Sequence, residues 1–283
     1  MGVKTLYIET LSYTAVYLLI FTLLFLFSKI VLNRSAALDT DEKFGDHDNH
    51  AVSLTMSGYY LAVAIIFAAA LYGPSKGFAL DILAVVSYSL LGILLLNLSR
   101  YFNDKVIFNQ AHSITKMCRQ HNTAVGSAQF GAYLATGLIV AASISGQGGG
   151  AISALVFFVL GQLSLFLFNK IYDWITPFDI REHLMQQNLA CGIALSGTLV
   201  ALGMIIANGI RGDFVSWRVD ITSFVIAVTV ACFFLPIVRL FMNHILIRNA
   251  NLSSEISDNQ NIGAALLEAF VAISFSLVLT QIV

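Results

Sequence analysis

The chain has 283 residues, of which 58% are hydrophobic and only 11% are charged. A soluble domain carries about 25% charged residues, so this composition argues against an ordinary soluble enzyme. The formal net charge of −1 at pH 7 also gives no electrostatic basis for binding nucleic acid.

Eight apolar runs identify the class of protein. A helix that crosses a bilayer needs about 20 consecutive, mostly apolar residues. Runs of that length predict an all-α polytopic membrane protein with eight transmembrane helices, and they lie near 10–32, 50–72, 79–101, 123–145, 151–171, 189–211, 220–242 and 262–283.

The first run is expected to stay in the mature protein, because it is longer than the core of a signal peptide and lacks a cleavage pattern. The loop that follows contains "DHDNH", residues 46–50. Aspartate and histidine can ligate a divalent metal. Adjacent side chains rarely all point at one ion, however, so we expect a solvated loop, no bound metal and no cofactor.

The second, fourth, sixth and eighth runs each begin at an asparagine, a favoured helix N-cap. Counted from that asparagine, small residues recur at positions +2, +6, +9 and +13, which lie on one stripe of an α-helix. Small side chains allow membrane helices to pack closely. We expect the second, fourth and sixth helices to meet around a shared centre, and the eighth to depart from the pattern at Phe270. The packing residues at +9 and +13 are Gly58, Gly131, Gly197, Ala62, Ala135 and Ala201.

The third and seventh runs share an acid at the start, Asp81 or Asp220, and a cation at the end, Arg100 or Arg239. An acid at a helix N-terminus accepts amide hydrogen bonds and complements the helix dipole. The alternative is an outer mouth that attracts cations. A cation at the other end suits the dipole and can snorkel towards headgroups. Its alternative role is in an ion or proton site.

A glycine-rich segment, "GQGGG" at 146–150, separates two similar halves. It lacks the context of a phosphate loop, and we expect a flexible joint. A shift of 139 positions aligns both Asp81 with Asp220 and Arg100 with Arg239. We therefore predict two four-helix membrane repeats, 10–146 and 151–283. Each contains an even number of spans, so the repeats should be parallel rather than inverted.

The last run carries one carboxylate, Glu268, seven residues after Asn261. At about 1.5 Å per residue it lies roughly 10 Å inside the membrane boundary. An acid at that depth normally faces the protein interior and has a partner. Two readings stay open: a structural acid, paired with Arg239 or protonated, or a group that binds or relays a cation or proton. Its counterpart in the fourth run is Gln129, which cannot titrate.

Basic residues favour one side of the membrane. Of the 15 lysines and arginines, only Lys4, Lys76, Arg211 and Arg218 lie away from the four long loops. The positive-inside rule then predicts that the long loops are cytoplasmic and that both termini are periplasmic.

The Asn-led spans, with "LLNLSRYFNDKVIF" (95–108) and "NIGAALLEAFVAISFSLVL" (261–279), resemble the bacterial inner-membrane family typified by YjfL, the domain of unknown function three hundred and fifty. One copy in that family has about four spans, so the resemblance implies two copies here. It also implies that Glu268 is the family's intramembrane acid, from which Gln129 departs. The family has no established activity, and the phage-shock-type neighbours of some members imply a link to envelope integrity.

We expect a multi-pass inner-membrane protein that is an ion channel or an ion/proton-coupled transporter, using Glu268 with Gln129, Arg239 and Arg100. The alternative is a structural or partner-docking component for envelope maintenance. Catalytic groups are not paired at membrane depth, so we do not expect an enzyme. Expected partners are the lipid bilayer and further copies of the chain, with a cytoplasmic protein partner left open.

Overall fold

The structure, a computed structural model, describes residues 3–36, 49–73, 75–106, 120–243 and 251–282. Regular secondary structure within these ranges is helical, and eight of the helices are long and apolar enough to cross a membrane. The predicted eight-span all-α class is therefore confirmed. The helices are α1 (Val3–Ala36), α2 (His50–Ala70), α3 (Phe78–Val106), α4 (Thr123–Ile144), α5 (Gly150–Ile175), α6 (Ile180–Met185), α7 (Leu189–Ile210), α8 (Trp217–Phe241), α9 (Leu252–Ser257) and α10 (Ile262–Ile282).

The spans form two layers. The Asn-led helices α2, α4, α7 and α10 pack side by side in chain order, and we call them the inner row. The other four spans form an outer layer, in which α3 lies against α2 and α4, α5 against α4 and α7, and α8 against α7 and α10. The expected arrangement around a shared centre is wrong. Each inner helix has one face for the next helix and another for the previous one, and this produces a row.

The contacts along the inner row share one register. Position +9 of each helix, counted from its asparagine, meets position +8 of the next. A methyl group built on Gly131 would lie 2.5 Å from the Cα atom of Ser196, so this approach leaves room only for hydrogen. The same two positions meet as Gly58 against Phe130 and as Gly197 against Ala269.

Two further pairs of positions repeat the register. Position +2 meets +4 of the next helix, as Ala51 meets Gly126, and +13 meets +15, as Ala62 meets Gly137. The contacts rise together along both helices, so the inner helices all point the same way and the two repeats are parallel, as predicted. The later contacts of these two kinds are Ala124 with Gly192 and Ala135 with Gly203, and Ala201 is fully buried.

The row ends at α10 for a steric reason. Position +9 of α10 is Phe270, whose side chain is 63% exposed. A ring at this position prevents the backbone approach that glycine allows in the other three inner helices. Exposed apolar side chains cover the outer layer instead, as expected for surfaces that face acyl chains.

All four asparagines cap their helices, each accepting a backbone N–H three residues on at 3.0–3.2 Å. Two of them also donate to the short helix that precedes the next inner helix. The Nδ2 atom of Asn122 donates to the Leu184 carbonyl in α6, and that of Asn188 to the Ile256 carbonyl in α9, both at 2.8 Å. Asparagine suits this position because its side chain carries both an acceptor and a donor. We call the side with these caps the cap side, and the opposite one the far side.

Gly131→Ala should destabilise the protein by about 1–3 kcal/mol, because the added methyl group overpacks a backbone contact. Gly73→Ala is the matched control, since no atom of the described residues lies within 4 Å of the position of its new Cβ. The measurement is the free energy of unfolding in mixed micelles. Equal stability of Gly131→Ala and wild type would contradict the close contact.

Asn188→Ala should cost roughly 2 kcal/mol or more, because the buried side chain loses a cap and leaves carbonyls of α9 unpaired. Asn261→Ala removes a cap whose second bond goes to the exposed carboxylate of Glu255, so it should cost less. Hydrogen exchange should rise across 252–257 in Asn188→Ala. Unchanged exchange there would show that the asparagine does not hold α9.

Candidate functional site

Glu268 lies on α10 and is only 5% exposed. Position +7 turns it from the inner row towards the outer layer, where the hydroxyl of Tyr172 on α5 donates to Oε1 over a long 3.4 Å. The other oxygen, Oε2, is buried and has no hydrogen-bond partner among the described residues. An unpaired polar atom at this depth is costly, so it requires a specific reason.

Arg239 brings a buried positive charge to the same place. Its guanidinium donates to Thr176 Oγ1 at 2.6 Å and to Ser253 Oγ at 3.3 Å, and it lies 5.4 Å from the centre of the Tyr172 ring. Within the described chain neither oxygen of Glu268 accepts a hydrogen bond from Arg239. The side chains of Arg239 and Glu268 are therefore connected through Tyr172 rather than by a direct hydrogen bond.

A small cavity lies between these side chains. Its volume is about 10 Å³, and its polar lining comes from Tyr172, Thr198, Arg239 and Glu268. This volume is close to the minimum for one water molecule, and the lining offers the polar partners that a buried water needs. We call this cavity the Glu268 pocket. It suits a single water or a proton and is too small for a hydrated metal ion.

The first half has different residues in the equivalent places. Gln129 is 3% exposed on α4, and α7 stands between α4 and α10 in the inner row. Arg100 on α3 has a buried Nε atom without a hydrogen-bond partner among the described residues. The polar contacts of this half centre on Tyr59, which donates to the Ser28 carbonyl at 3.1 Å. Of the four predicted site residues, the structure thus brings Glu268 and Arg239 together, while Gln129 and Arg100 lie on α4 and α3 outside the pocket that those two line.

Asp81 and Asp220 both accept hydrogen bonds from the loop before their own helix. Asp81 accepts from the backbone N–H of Lys76 at 2.8 Å, and Asp220 from that of Ser216 at 2.9 Å. These bonds fit the capping role. An outer mouth that attracts cations stays a prediction.

Three members of the cluster were not expected from the sequence: Tyr172, Thr176 and Ser253. Tyr172 is 96 residues from Glu268 in the chain, and Thr176 is 63 residues from Arg239. Ser253 is 14 residues from Arg239. Nothing in the local pattern separates Tyr172 from an ordinary tyrosine at a membrane interface. The segment at 46–50, expected to be solvated, lies mostly outside the described residues.

The comparisons with known proteins agree with this organisation. The family described as Domain of Unknown Function (DUF350) matches the chain twice, over residues 5–144 and 148–283. A UPF0719 transmembrane protein of Aquifex aeolicus (strain VF5) is 25% identical over 259 residues, which cover 88% of this chain and 93% of that protein. No solved structure matches. The predicted family and its duplication are confirmed, while the link to YjfL stays a prediction. Since the two matches cover nearly the whole chain, it belongs to the DUF350 family of membrane proteins and carries two tandem copies of that domain.

Proposed function

We propose that this protein is a proton-coupled transporter or channel of the bacterial inner membrane, in which Glu268 takes up and releases the proton. The observation that carries the proposal is the Oε2 atom of Glu268, which has no hydrogen-bond partner among the described residues and is buried in a pocket with room for about one water molecule. Acids inside a membrane are commonly part of proton or ion pathways.

The size of the pocket favours a proton over a metal cation. Calcium takes six to eight oxygen ligands and magnesium about six, usually including several waters. The pocket offers oxygens from Glu268, Tyr172 and Thr198, and about 10 Å³ of space. A proton needs only the free carboxylate oxygen and one neighbour to pass it on.

The neighbours of Glu268 suit a group that changes charge. The hydroxyl of Tyr172 can donate to a carboxylate or accept from a protonated acid. Arg239 stays positively charged, and the hydrogen bonds that its two terminal nitrogens donate go to Thr176 and Ser253 rather than to Glu268. Arg239 therefore supports the carboxylate form without occupying Oε2, which remains available for a proton.

One such site per chain is expected. Gln129 cannot titrate, so we propose that Gln129 and Arg100 form a counterpart without a proton. In this proposal the cap side is cytoplasmic and both termini are periplasmic, as the distribution of basic residues favours. Assembly into a homo-oligomer and docking of a cytoplasmic protein stay predictions.

The alternative function is a structural or partner-docking component for envelope maintenance. It is favoured by the small volume of the Glu268 pocket and by the hydrogen bonds that hold α6 and α9 against the cap side. In that case Arg239, Tyr172 and Glu268 serve to fix α5, α8 and α10 together. The two functions predict different effects of a neutral residue at position 268: a loss of proton flux for the transporter or channel, and no change for the structural component.

The test is reconstitution into liposomes that contain an internal pH indicator, with a potential and a pH step across the membrane. Wild type should dissipate the step faster than protein-free liposomes. Glu268→Gln should lower that rate by roughly 100-fold, the lower end of what a positioned proton-transfer group contributes. Asp173→Asn is the matched control, because it removes a carboxylate from the end of α5 that lies 3.8 Å from Arg181 and outside the Glu268 pocket.

Asp173→Asn should keep the wild-type rate, and both variants should insert and unfold as wild type does. If liposomes with wild-type protein dissipate the pH step no faster than protein-free liposomes, the protein does not conduct protons and the proposal is overturned. If Glu268→Gln dissipates the pH step as fast as wild type, the carboxylate has a structural role and the alternative function is favoured.

A further inference from the structure

A second cavity lies at the other end of the inner row. On the far side the ends of α2, α4, α7 and α10 line one face of a groove of about 720 Å³, within the range of ligand sites in proteins. Each helix contributes the same position to its floor, +16, occupied by Ile65, Leu138, Met204 and Leu277. We call this cavity the far-side groove.

The groove faces away from the outer layer. At 100° per residue, position +16 lies about 180° from position +7, the position of Glu268. Position +7 faces the outer layer, where Glu268 meets Tyr172. The groove and the Glu268 pocket are therefore on opposite sides of the inner row and near opposite surfaces of the membrane. The uncovered side of the groove is open to lipid.

The polarity of the groove changes with depth. At about 1.5 Å per residue, position +16 lies roughly 24 Å from the caps, within a hydrocarbon core about 30 Å thick. Its residues are apolar. Asn208 and Gln281 follow at position +20, and Arg211 at position +23 reaches headgroup level. An apolar floor below a polar rim matches an amphiphile.

The rim carries both signs of charge. Arg211 and Asp213 line the groove, and among the described residues they form no ion pair with each other. Asp213 is held in place because its Oδ1 atom accepts the backbone N–H of Gln147 at 2.8 Å. Phe214 donates its N–H back to the Gln147 carbonyl, also at 2.8 Å. The joint between the repeats is thus tied to the rim, whereas the sequence led us to expect a flexible segment.

We propose that the far-side groove binds one phospholipid with a phosphoethanolamine headgroup. The guanidinium of Arg211 donates hydrogen bonds to the phosphate, which its planar N–H donors fit well. The carboxylate of Asp213 accepts a hydrogen bond from the primary ammonium. An acyl chain lies along the apolar residues at position +16 and leaves the groove into the bilayer.

The chemistry of the rim predicts that the groove selects between phospholipid headgroups. Phosphatidylglycerol lacks the ammonium group and would leave Asp213 beside an anionic lipid. Phosphatidylcholine has a quaternary ammonium that cannot donate a hydrogen bond to Asp213. Among these three lipids, only phosphatidylethanolamine offers both a phosphate for Arg211 and a charged N–H donor for Asp213. Since the site does not involve Glu268, lipid binding and proton flux can fail independently.

The experiment is native mass spectrometry of the full chain in detergent, with equal amounts of phosphatidylethanolamine, phosphatidylglycerol and phosphatidylcholine of identical acyl chains. Wild type should retain one lipid and prefer phosphatidylethanolamine by about tenfold, as expected for one charge-assisted hydrogen bond. Arg211→Gln should lower retention of phosphatidylethanolamine by about tenfold. Asp213→Asn should abolish the preference over phosphatidylglycerol. Arg218→Gln is the matched control, since Arg218 lies on the same side but does not line the groove, and it should behave as wild type.

A groove-filling variant separates loss of lipid binding from loss of folding. A water-soluble headgroup tests whether the acyl chains are needed for binding. Ala207→Trp fills the groove without altering its charges and should exclude the lipid while the unfolding temperature stays close to that of wild type. Glycerophosphoethanolamine, which has no acyl chains, should not displace the lipid. Retention of no lipid, a preference for phosphatidylglycerol, equal retention by Ala207→Trp or displacement by the water-soluble headgroup would each overturn the proposal.

Discussion

Backbone contact between neighbouring inner helices is the constraint on which the rest of the fold depends. In lipid, apolar side chains gain little by leaving acyl chains for another helix, so association relies on close packing. Here glycine at +9 lies against position +8 of the next helix, and a Cβ added to Gly131 would lie only 2.5 Å from the Cα atom of Ser196. Three repetitions of this register give a row of parallel helices, with the second layer on one side only.

This row also explains where the unusual polar residues occur. The central helices α4 and α7 are packed on both faces, and most of each span is buried. The last helix has an inner-row neighbour on one face only, and its exposed face carries Phe270. Glu268 therefore lies on a terminal helix of the inner row, and its partners come from the outer layer. The uncovered side of the row forms the far-side groove, which places the two proposed sites at opposite ends of the inner helices.

The sequence predicts the local features well because each is encoded within a few residues. The lengths of the apolar runs predict the spans, and an asparagine with a following stripe of small residues predicts a capped, closely packed helix. The row could not be predicted, since a stripe shows that one face is small without showing which face it meets. The receiving positions, such as Phe130 and Ser196 at +8, share no chemical type. Tyr172 was missed because the chain separates it from Glu268 by 96 residues.

The most direct test of this account is the distance between spin labels at position +1 of the inner helices, measured by pulsed electron resonance in lipid. Labels at residues 50, 189 and 262 sit on α2, α7 and α10 at the cap side. Neighbouring helices pack about 8–10 Å apart. The account predicts that the distance from 50 to 262 exceeds the distance from 50 to 189 by about one helix spacing. A distance from 50 to 262 no longer than that from 50 to 189 would mean that the four helices close around a centre, and the row would be wrong.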